Sequence, residues 1–458
     1  IRRPPRSTPS NSSAASDVYK RQVYNNSFAG PMVINFENAD NSTIHDNTFY
    51  PVRGTDITIG SNSILGDNKI KNGQFFTITV TGDNTTVENN TFTNITGRGI
   101  VVKANNVTVR NNTFINITGI AIIVGDDTWQ LPGNPVNVNG TTVFNNTIYL
   151  WVNLTNQTTM HTLLPGLPHI PAASTGIMIM PHTNNTNISE NNIYEQNIYS
   201  STPPNMLKAE TRGIFGKGIN ATYTLENLWI HDNTINTIRE GITVENCQTT
   251  KIFSNQMRQV GKTGIKTNDC KATRIYDNIV EGGTYSTDII LWYKTGIEIF
   301  KSRHDLLEDN KINNFRTGIY FYNASNTTSW NSTIEFNNIG IFSFLSTHNK
   351  ILNNTIETRK TGIKLLMTNH TLINDTDITP EAGYTSTEGI RLSQSFYNNI
   401  TFNNLTTVNL SLIFDHNSAF NNVSQNNLTT GAGSALQVIW DSVSYTHLRA
   451  HETSLHIV

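Results

Sequence analysis

The clearest pattern in the chain is a motif of the form I-x-x-N-x-[I/F/L], which returns about every 22 residues over most of the length. Two apolar residues five positions apart, with an Asn between them, do not share a helical face, but they suit a short strand that turns a corner into another strand. The period and the β-branched strands predict one coil of a parallel β-helix per repeat. The Asn of the motif stands at positions 26, 47, 68, 90, 112, 146, 191, 233, 255, 278, 310, 337, 354, 403 and 426.

A second motif, G-I-x-[I/V/F/L], lies between successive Asn motifs. Gly permits a sharp bend into the strand, Ile is expected to point inward, and the next residue is expected to point outward because side chains alternate along a strand. The motif begins at Gly119, Gly176, Gly241, Gly264, Gly296, Gly318, Gly340, Gly362 and Gly389.

The two motifs together predict an all-β solenoid with one G-I strand and one pair of Asn-motif strands in each coil. The motif Asn residues are interpreted as structural, stacked in an amide ladder along the axis at the strand spacing of about 4.8 Å. Roughly 16 coils at this spacing give a rod on the order of 75 Å long.

The two ends share neither the period nor the composition of the rest. Residues 1–22 and 442–458 are therefore expected to be artefactual or disordered tails, and they resemble translated sequencing-adapter sequence. Residues 23–441 are expected to form a single β-helix domain, since each coil buries its apolar side chains against its neighbours only.

Composition narrows the classes of partner. Charged residues make up 14% of the chain, hydrophobic residues 36%, and the net charge is −2, so no nucleic-acid partner is predicted. No run of 18 apolar residues is present, so no transmembrane span is predicted. About two dozen N-x-[S/T] sequons mark a heavily glycosylated glycoprotein if the chain is secreted, although a sequence so rich in Asn and Thr also produces sequons by chance.

Cys247 and Cys270 each lie six residues after a motif Gly. This shared offset predicts that they stack in adjacent coils, within disulfide range. Reduced, packed thiols are the default expectation, and a disulfide is the alternative in an oxidising compartment.

The extra length between repeats falls mostly at one point of the coil, after the Asn motif and before the next G-I strand. The segments are 149–174, 197–212, 280–295 and 379–388, and insertions on one face often mark a binding face. We expect their aromatic and imidazole side chains to form a wall on which sugar rings stack, or else to pack the loops onto the rod. These side chains are Trp151, His161, His169, Tyr199, Tyr285, Trp292, Tyr293 and Tyr384.

The outward residues of the G-I-x motif form the candidate site. They offer cations, an acid and aromatic rings, which suit an acidic or neutral polysaccharide, although an ordinary solvated sheet face with cross-strand ion pairs is the alternative. In chain order they are Ala121, Met178, Thr243, Lys266, Glu298, Tyr320, Phe342, Lys364 and Arg391.

The tandem motifs resemble the right-handed parallel β-helix repeats of NosD-type domains, pectin-lyase-like proteins and alginate C5-epimerases. The resemblance implies a right-handed, single-stranded β-helix. In the epimerase and lyase relatives, catalytic residues lie on the outward strand face in a D-P-H sequence, which no coil here contains. The nearest sequence is Glu298 followed by Arg303-His304-Asp305, which lacks the Pro and the spacing.

Two functional alternatives follow from the resemblance. A polysaccharide lyase or uronate epimerase needs a cation to neutralise the uronate and a base to remove the α-proton. If the chain is such an enzyme, the residues expected to carry the reaction are Lys266, Glu298, Tyr320, Lys364 and Arg391.

The second alternative is a copper-associated protein, because NosD-type domains are associated with copper. Met178, Met180 and His182 alternate along one strand, and thioether and imidazole ligands together suit Cu(I).

The favoured interpretation is a non-enzymatic, monomeric rod without a cofactor, which is extracellular, on the cell surface or periplasmic. It binds a polysaccharide or cell-surface glycan, or acts as an adhesin-like structural element. The expected substrate-binding residues are Lys266, Glu298, Tyr320, Phe342, Trp151, Trp292 and Tyr293.

Overall fold

The computed structural model of the protein describes residues 21–30, 33–51, 56–125, 137–151, 174–195, 212–217, 224–236, 238–283, 294–415, 417–431 and 433–438. Within this part of the chain, each coil contributes a strand to each of three parallel sheets, called here the first, second and third sheets in the order in which the chain visits them. Neighbouring coils pair in parallel register throughout, so the predicted parallel β-helix is confirmed.

The first sheet contains 16 strands, one per coil, which confirms the predicted number of coils. Its strands are Gln22–Tyr24, Thr43–His45, Ile64–Gly66, Thr86–Glu88, Thr108–Arg110, Thr142–Phe144, Asn187–Ser189, Trp229–His231, Lys251–Phe253, Arg274–Tyr276, Leu306–Glu308, Thr328–Trp330, Lys350–Leu352, Leu372–Asn374, Asn399–Thr401 and Asn422–Ser424.

The second and third sheets merge in four coils, where one long strand runs through both. These long strands are Thr91–Val102, Thr113–Val124, Thr333–Phe344 and Thr355–Leu366. The other strands of the second sheet are Ser27–Gly30, Thr48–Pro51, Lys69–Lys71, Thr147–Leu150, Asn192–Glu195, Thr234–Asn236, Gln256–Val260, Ile279–Gly282, Lys311–Asn313, Asp377–Pro380, Asn404–Thr407 and Asn427–Thr430.

The third sheet carries the G-I motif. Its other strands are Val33–Phe36, Asp56–Ile59, Gln74–Val80, Thr175–Ile179, Arg212–Lys217, Glu240–Glu245, Thr263–Asn268, Thr295–Phe300, Thr317–Tyr322, Glu388–Ser393, Leu410–Asp415 and Ser434–Val438. A short sheet of four two-residue strands follows it at one corner: Val138–Asn139, Thr183–Asn184, Leu225–Glu226 and Cys247–Gln248.

The core fills the lumen of the solenoid with one inward column of side chains from each sheet. In one coil the first, second and third sheets contribute Ile252, Met257 and Ile265, each fully buried. The motif Gly lies beside this core because a Cβ has no room there: one added at Gly264 would meet the Val280 side chain and the Gly296 carbonyl oxygen. The predicted inward Ile and the role of Gly as a close-approach residue are therefore confirmed.

The motif Asn residues form the predicted ladder at the corner between the first and second sheets. Asn255 is typical: its Nδ2 donates to the carbonyl oxygens of Ile230 and Phe253 and to Oδ1 of Asn278, at 2.9, 2.9 and 3.0 Å. Its Oδ1 accepts a hydrogen bond from the backbone N–H of Asn233 at 3.1 Å. Each amide therefore ties neighbouring coils together at a corner where strand pairing stops.

One predicted member of the ladder is wrong. The Asn310 N–H donates to the hydroxyl of Ser332, not to Asn337, and the ladder continues from Ser332 to Asn354. Asn337 lies at the next corner, where its Oδ1 accepts from the Phe315 N–H. The motif was assigned one corner too late in this coil because Ser occupies the ladder position.

Backbone geometry explains why the chain is so rich in Asn and Asp. Each coil turns corners through residues with a positive φ, a conformation that Asn and Asp adopt more readily than other non-Gly residues. The sequon residues Asn84, Asn94, Asn106 and Asn116 all have φ between 54° and 57°. This favours the interpretation that these sequons arise by chance from the high content of Asn and Thr.

Cys247 and Cys270 lie in adjacent coils with their Cα atoms 4.6 Å apart, so the predicted stacking is confirmed. The two residues form a disulfide, which corrects the expectation of reduced thiols. The column continues through small side chains, since the Cys270 N–H donates to Ser302 Oγ at 3.0 Å.

Asp305 is a buried carboxyl group in an interior column of small polar residues. Its Oδ1 accepts the Thr273 N–H at 2.8 Å, whereas Oδ2 has no hydrogen-bond partner among the described residues. Burial raises the pKa of Asp305 to about 7. Two coils further on, the same column holds Asn349, whose Oδ1 accepts the Thr327 N–H.

Replacing Asn255 by Ala tests the ladder. The change removes three donated hydrogen bonds and leaves the buried Asn233 N–H without its acceptor, so we expect a loss of about 3 kcal/mol or more in the free energy of unfolding. Urea unfolding followed by circular dichroism measures it. The control is Asn422→Ala, since Asn422 is exposed and hydrogen-bonds only Asn399 through its side chain. Equal losses in the two variants would contradict a stabilising ladder.

Replacing Asp305 by Asn tests the buried carboxyl group. Because its folded pKa of about 7 lies above the usual 3.8, folding favours the protonated form. This contribution is fully present below pH 4 and is lost as pH rises toward 7. We therefore expect Asp305→Asn to be more stable than the parent by about 2–4 kcal/mol at pH 8 and by little at pH 4. Denaturant unfolding at both pH values measures the difference, and a pH-independent difference would contradict the assignment.

Candidate functional site

The outward column of the third sheet is continuous from Lys266 to Arg391. Lys266 pairs with Glu298, Glu298 with Tyr320, and Tyr320 with Phe342, each one coil further along the rod. Lys364 and Arg391 follow in the next two coils. The structure thus brings together all six of these predicted residues on one face, and all six are half-buried.

The predicted column is wrong at its start. Ala121 is fully buried in the lumen, and the residue in register with Met178 is Ile123. The coil of Gly119 carries its inward residue two positions later than the motif suggests, at Ile122, which pairs with Ile177. The motif also missed Phe215, which lies between Met178 and Thr243 in the column.

A second outward column lies two residues further along the same strands and was not identified from the sequence. Asn268, Phe300, Tyr322 and Phe344 succeed one another in it. Because the strand alternation continues past the G-I-x-I motif, extending the period of two by one more step would have found them.

Five rings from the two columns form a patch that is two side chains wide, called here the aromatic patch: Phe300, Tyr320, Tyr322, Phe342 and Phe344. Tyr320 stacks on Phe342 with centroids 5.1 Å apart, and Phe300 stacks on Tyr322 at 4.6 Å. Between the columns, Tyr320 meets Tyr322 edge-on at an interplanar angle of 63°. The patch therefore contains stacked rings and rings in edge contact.

Aromatic stacks occur elsewhere on the rod, but they are one ring wide. On the first sheet, Phe253 stacks between His231 and Tyr276 at 4.6 and 4.8 Å. At a corner near the other end of the chain, His370 stacks between His348 and Tyr397. Stacking at the strand spacing is thus a general feature of this solenoid, whereas the double width is found, in the described residues, on the third sheet.

Ion pairs border the aromatic patch. Lys266 Nζ lies 2.9 Å from Glu298 Oε1 and 5.1 Å from the centroid of the Phe300 ring. Arg391 contacts Glu388 at 3.0 Å and Asp415 at 3.5 Å. The carboxylates of Glu298, Glu388 and Asp415 thus offset the charges of Lys266 and Arg391.

Lys364 lies over the patch itself, with its Nζ 5.4 Å from the centroid of the Phe342 ring. A cation in this position is held by the ring quadrupole and keeps its donors available at the surface.

Tyr320 is the residue of the patch whose ionisation is most altered. Burial, followed by the nearby carboxylate of Glu298 and by Tyr322, raises its pKa to about 12. A base that removes an α-proton works best with a pKa near the working pH. Tyr320 is therefore suited to donate a hydrogen bond and poorly suited to act as the base of a lyase.

The insertions enter at the predicted corner, between the second and third sheets. The segment 379–388 is described: its Tyr384 ring is exposed and lies 5.7 Å from the Arg359 guanidinium, which also pairs with Glu381 at 2.6 Å. Trp151 is exposed at the start of another insertion. The remaining predicted wall residues lie outside the described residues: His161, His169, Tyr199, Tyr285, Trp292 and Tyr293.

The predicted copper ligands do not form an open site. Met178 and Met180 are buried and belong to a hydrophobic cluster on the outer side of the third sheet, called here the outer cluster, with Val101, Ile120, Ile123 and Phe215. Burial lowers the pKa of His182, which has a positive φ at the following corner. Packing within the outer cluster accounts for both thioethers, so these residues do not fit a copper centre. No group of three or more His, Cys, Asp or Glu side chains in the described part of the chain is arranged to hold a metal.

A sequence model described as a right handed beta helix region matches residues 10–235, 212–357 and 295–449. No curated protein matches the chain. Among solved structures, a DFA-IIIase from Arthrobacter chlorophenolicus A6, in complex with GF2, is 10% identical over 69% of this chain and 83% of that chain, with a TM-score of 0.44. The Dettilon tailspike protein is 12% identical over 76% of this chain and 62% of its own, with a TM-score of 0.44.

A mannuronan C-5 epimerase A-module from Azotobacter vinelandii is 14% identical over 88% of this chain and 91% of that chain, with a TM-score of 0.34. At these identities and TM-scores the likenesses carry no information on what this chain binds. The described residues also include no helix that is long and apolar enough to cross a membrane.

Replacing Glu298 by Gln tests the electrostatics of the patch. In protein labelled with ¹³Cζ-tyrosine, the Tyr320 resonance is identified as the one that Tyr320→Phe removes. At pH 10.5 this resonance should still be that of the protonated phenol. Glu298→Gln removes one repulsive charge and should lower the titration midpoint, whereas burial, the larger cause, should keep it above 10. A midpoint near 10 in the parent protein would contradict the buried setting of this ring.

Proposed function

The chain belongs to the family of right handed beta helix regions, and on this premise we propose that it is an extracytoplasmic rod that binds carbohydrate on its third sheet. The observation that carries the proposal is the aromatic patch, in which five half-buried rings lie two columns wide beside hydrogen-bonding side chains. Rings of this kind offer apolar area to the C–H faces of sugars at low cost in side-chain entropy.

Polar groups beside the rings give the surface its hydrogen-bonding capacity. The raised pKa of Tyr320 keeps its hydroxyl protonated as a donor, and Lys364 supplies an ammonium group above Phe342. Glu298 supplies acceptor oxygens next to the patch. A few placed polar groups on an apolar surface are the usual composition of a specific ligand site.

The charges of the face favour a neutral glycan over a polyuronate. Lys266 is already paired with Glu298, and Arg391 with Glu388 and Asp415. A uronate carboxylate arriving at these cations has to compete with carboxylates in place, and it meets their repulsion. The acidic polysaccharide included in the sequence-based expectation is therefore the less favoured ligand.

The alternative of a lyase or epimerase has weaker support from the same residues. Its base would be Tyr320, whose pKa of about 12 opposes proton abstraction near neutral pH, and two of its three candidate cations, Lys266 and Arg391, are paired with carboxylates. The disulfide between Cys247 and Cys270 supports the extracytoplasmic part of the proposal, since disulfides persist in oxidising compartments.

Glycan-array binding of the purified protein tests the proposal. We expect retention of neutral polysaccharides, and roughly tenfold weaker binding for Tyr320→Ala or Phe342→Ala because each removes one ring of the patch. The matched control is Phe253→Ala, which shortens a one-ring-wide stack on the first sheet and should leave binding unchanged.

Incubation with pectate and alginate separates the enzyme alternative. The proposal predicts neither unsaturated products nor epimerised residues. If products form and Tyr320→Phe abolishes them, the lyase or epimerase function replaces the proposal. Unchanged glycan retention in both patch variants would show that the aromatic patch is a structural stack.

A further inference from the structure

A groove of about 360 Å³ lies on the third sheet, in the first coils of the rod and apart from the aromatic patch. Its lining is polar, with four Thr residues, two carboxylates, two cations and a single apolar side chain. The lining residues are Glu37, Asp56, Thr58, Thr77, Thr79, Thr81, Arg98, Val101 and Lys103.

The register of three neighbouring coils builds the groove. Thr58, Thr79 and Val101 follow one another in the outward column that later contains Lys266. Two residues earlier on these strands, Asp56 pairs with Thr77. Two hydroxyl groups, those of Thr58 and Thr79, therefore lie at the strand spacing of about 4.8 Å in one column, with Thr77 and Asp56 in the adjacent column.

Three of the four hydroxyl groups are available to a ligand. Thr81 donates to the Ile59 carbonyl oxygen at 3.1 Å. Within the described part of the chain, the hydroxyls of Thr58, Thr77 and Thr79 have no hydrogen-bond partner, and all three side chains are half-buried. Each hydroxyl can both donate and accept, so the array can match hydroxyl groups of either orientation.

The charges of the groove balance, since Glu37 and Asp56 oppose Arg98 and Lys103. Asp56 and Arg98 are close enough to interact, although burial outweighs Arg98 and leaves the pKa of Asp56 raised. A ligand with a net charge of either sign gains little from such a lining, whereas hydroxyl groups can use the carboxylate oxygens as acceptors and the cations as donors.

We propose that this groove is a separate binding site for a small neutral polyhydroxylated ligand, of the size of a mono- or disaccharide. Its volume is at the lower end of the range of small-molecule sites, about 300–1,000 Å³. It contains no aromatic ring, and its one apolar residue, Val101, is buried in the outer cluster, so recognition rests on the hydroxyl and charged groups.

The groove and the aromatic patch are independent sites. The outward column between them passes through Ile123, Met178 and Phe215, which are buried in the outer cluster. Val101 and Lys266 are five coils apart, which corresponds to about 24 Å at the strand spacing. A disaccharide does not span this distance, so the proposed function can fail while this site binds, and the reverse also holds.

Saturation-transfer NMR and titration calorimetry with glucose, galactose, cellobiose and lactose test the site. We expect at least one of the four to bind, and Thr58→Val with Thr79→Val to weaken binding roughly tenfold, because two hydroxyl groups are lost without a change in shape or strand preference. Asp56→Asn should weaken it as well.

The matched control is Thr86→Val with Thr108→Val in protein from a bacterial host. This pair is also half-buried and in register in adjacent coils, but it lies on the first sheet, outside the groove. The control should leave binding unchanged, and all variants are compared in a Tyr320→Ala background so that sugar bound at the aromatic patch does not contribute. The inference is overturned if none of the four sugars binds, if glucuronate or glycine binds more tightly than all of them, or if the Thr58/Thr79 variant binds like the parent.

Discussion

The buried amide at the corner between the first and second sheets is the interaction on which the other features of the rod depend. Backbone groups at a corner have no strand partner, and the amide supplies one for each: Asn255 serves carbonyl groups of two coils and the N–H of Asn233. Because this fixes the position along the axis at which each strand of the second sheet starts, the ladder also sets the register of the third sheet.

The substitutions in the ladder show which part of this interaction each coil retains. Ser332 accepts the Asn310 N–H, and Thr376 accepts the Asn354 N–H, through hydroxyl oxygens in place of an amide oxygen. The hydroxyl group thus keeps the acceptor for the backbone N–H of the preceding coil, although the two N–H donors of an Asn amide are lost. The motif therefore requires a hydrogen-bond acceptor oxygen at this position more than it requires Asn itself.

Sequence periodicity predicted the features that depend on side-chain packing in the lumen, and it failed for features that do not depend on this packing. Coil number, inward Ile and the stacking of Cys247 on Cys270 follow from packing at a fixed strand spacing. Asn337 and Ala121 were misassigned because Ser332 and a shift of two residues hide the motif locally. The disulfide could not be told from packed thiols, since both fit a column of small residues.

The candidate site was predicted in part for the same reason. The G-I motif located Lys266, Glu298, Tyr320 and Phe342, because their neighbours in the motif point inward and force them outward. The second column, with its Phe300 and Phe344 rings, has no motif of its own. The groove near Thr58 and Thr79 combines residues that are unremarkable in sequence, and it exists only through register.

The aromatic stacks link stability to binding, and this decides which feature can be attributed to function. A stacked ring pair contributes about 0.5–1.5 kcal/mol beyond its buried area, so a column of rings at the strand spacing stabilises the contact between coils on any face. The stack through Phe253 meets that need with one column. On the third sheet the ring stacks between coils are Phe300 on Tyr322 and Tyr320 on Phe342. The side-by-side contacts of Tyr320 with Tyr322 and of Phe342 with Phe344 lie within single coils, so they add nothing to the contact between coils. The width of the aromatic patch, rather than its stacking, is therefore the property that stability leaves unexplained and that a ligand explains.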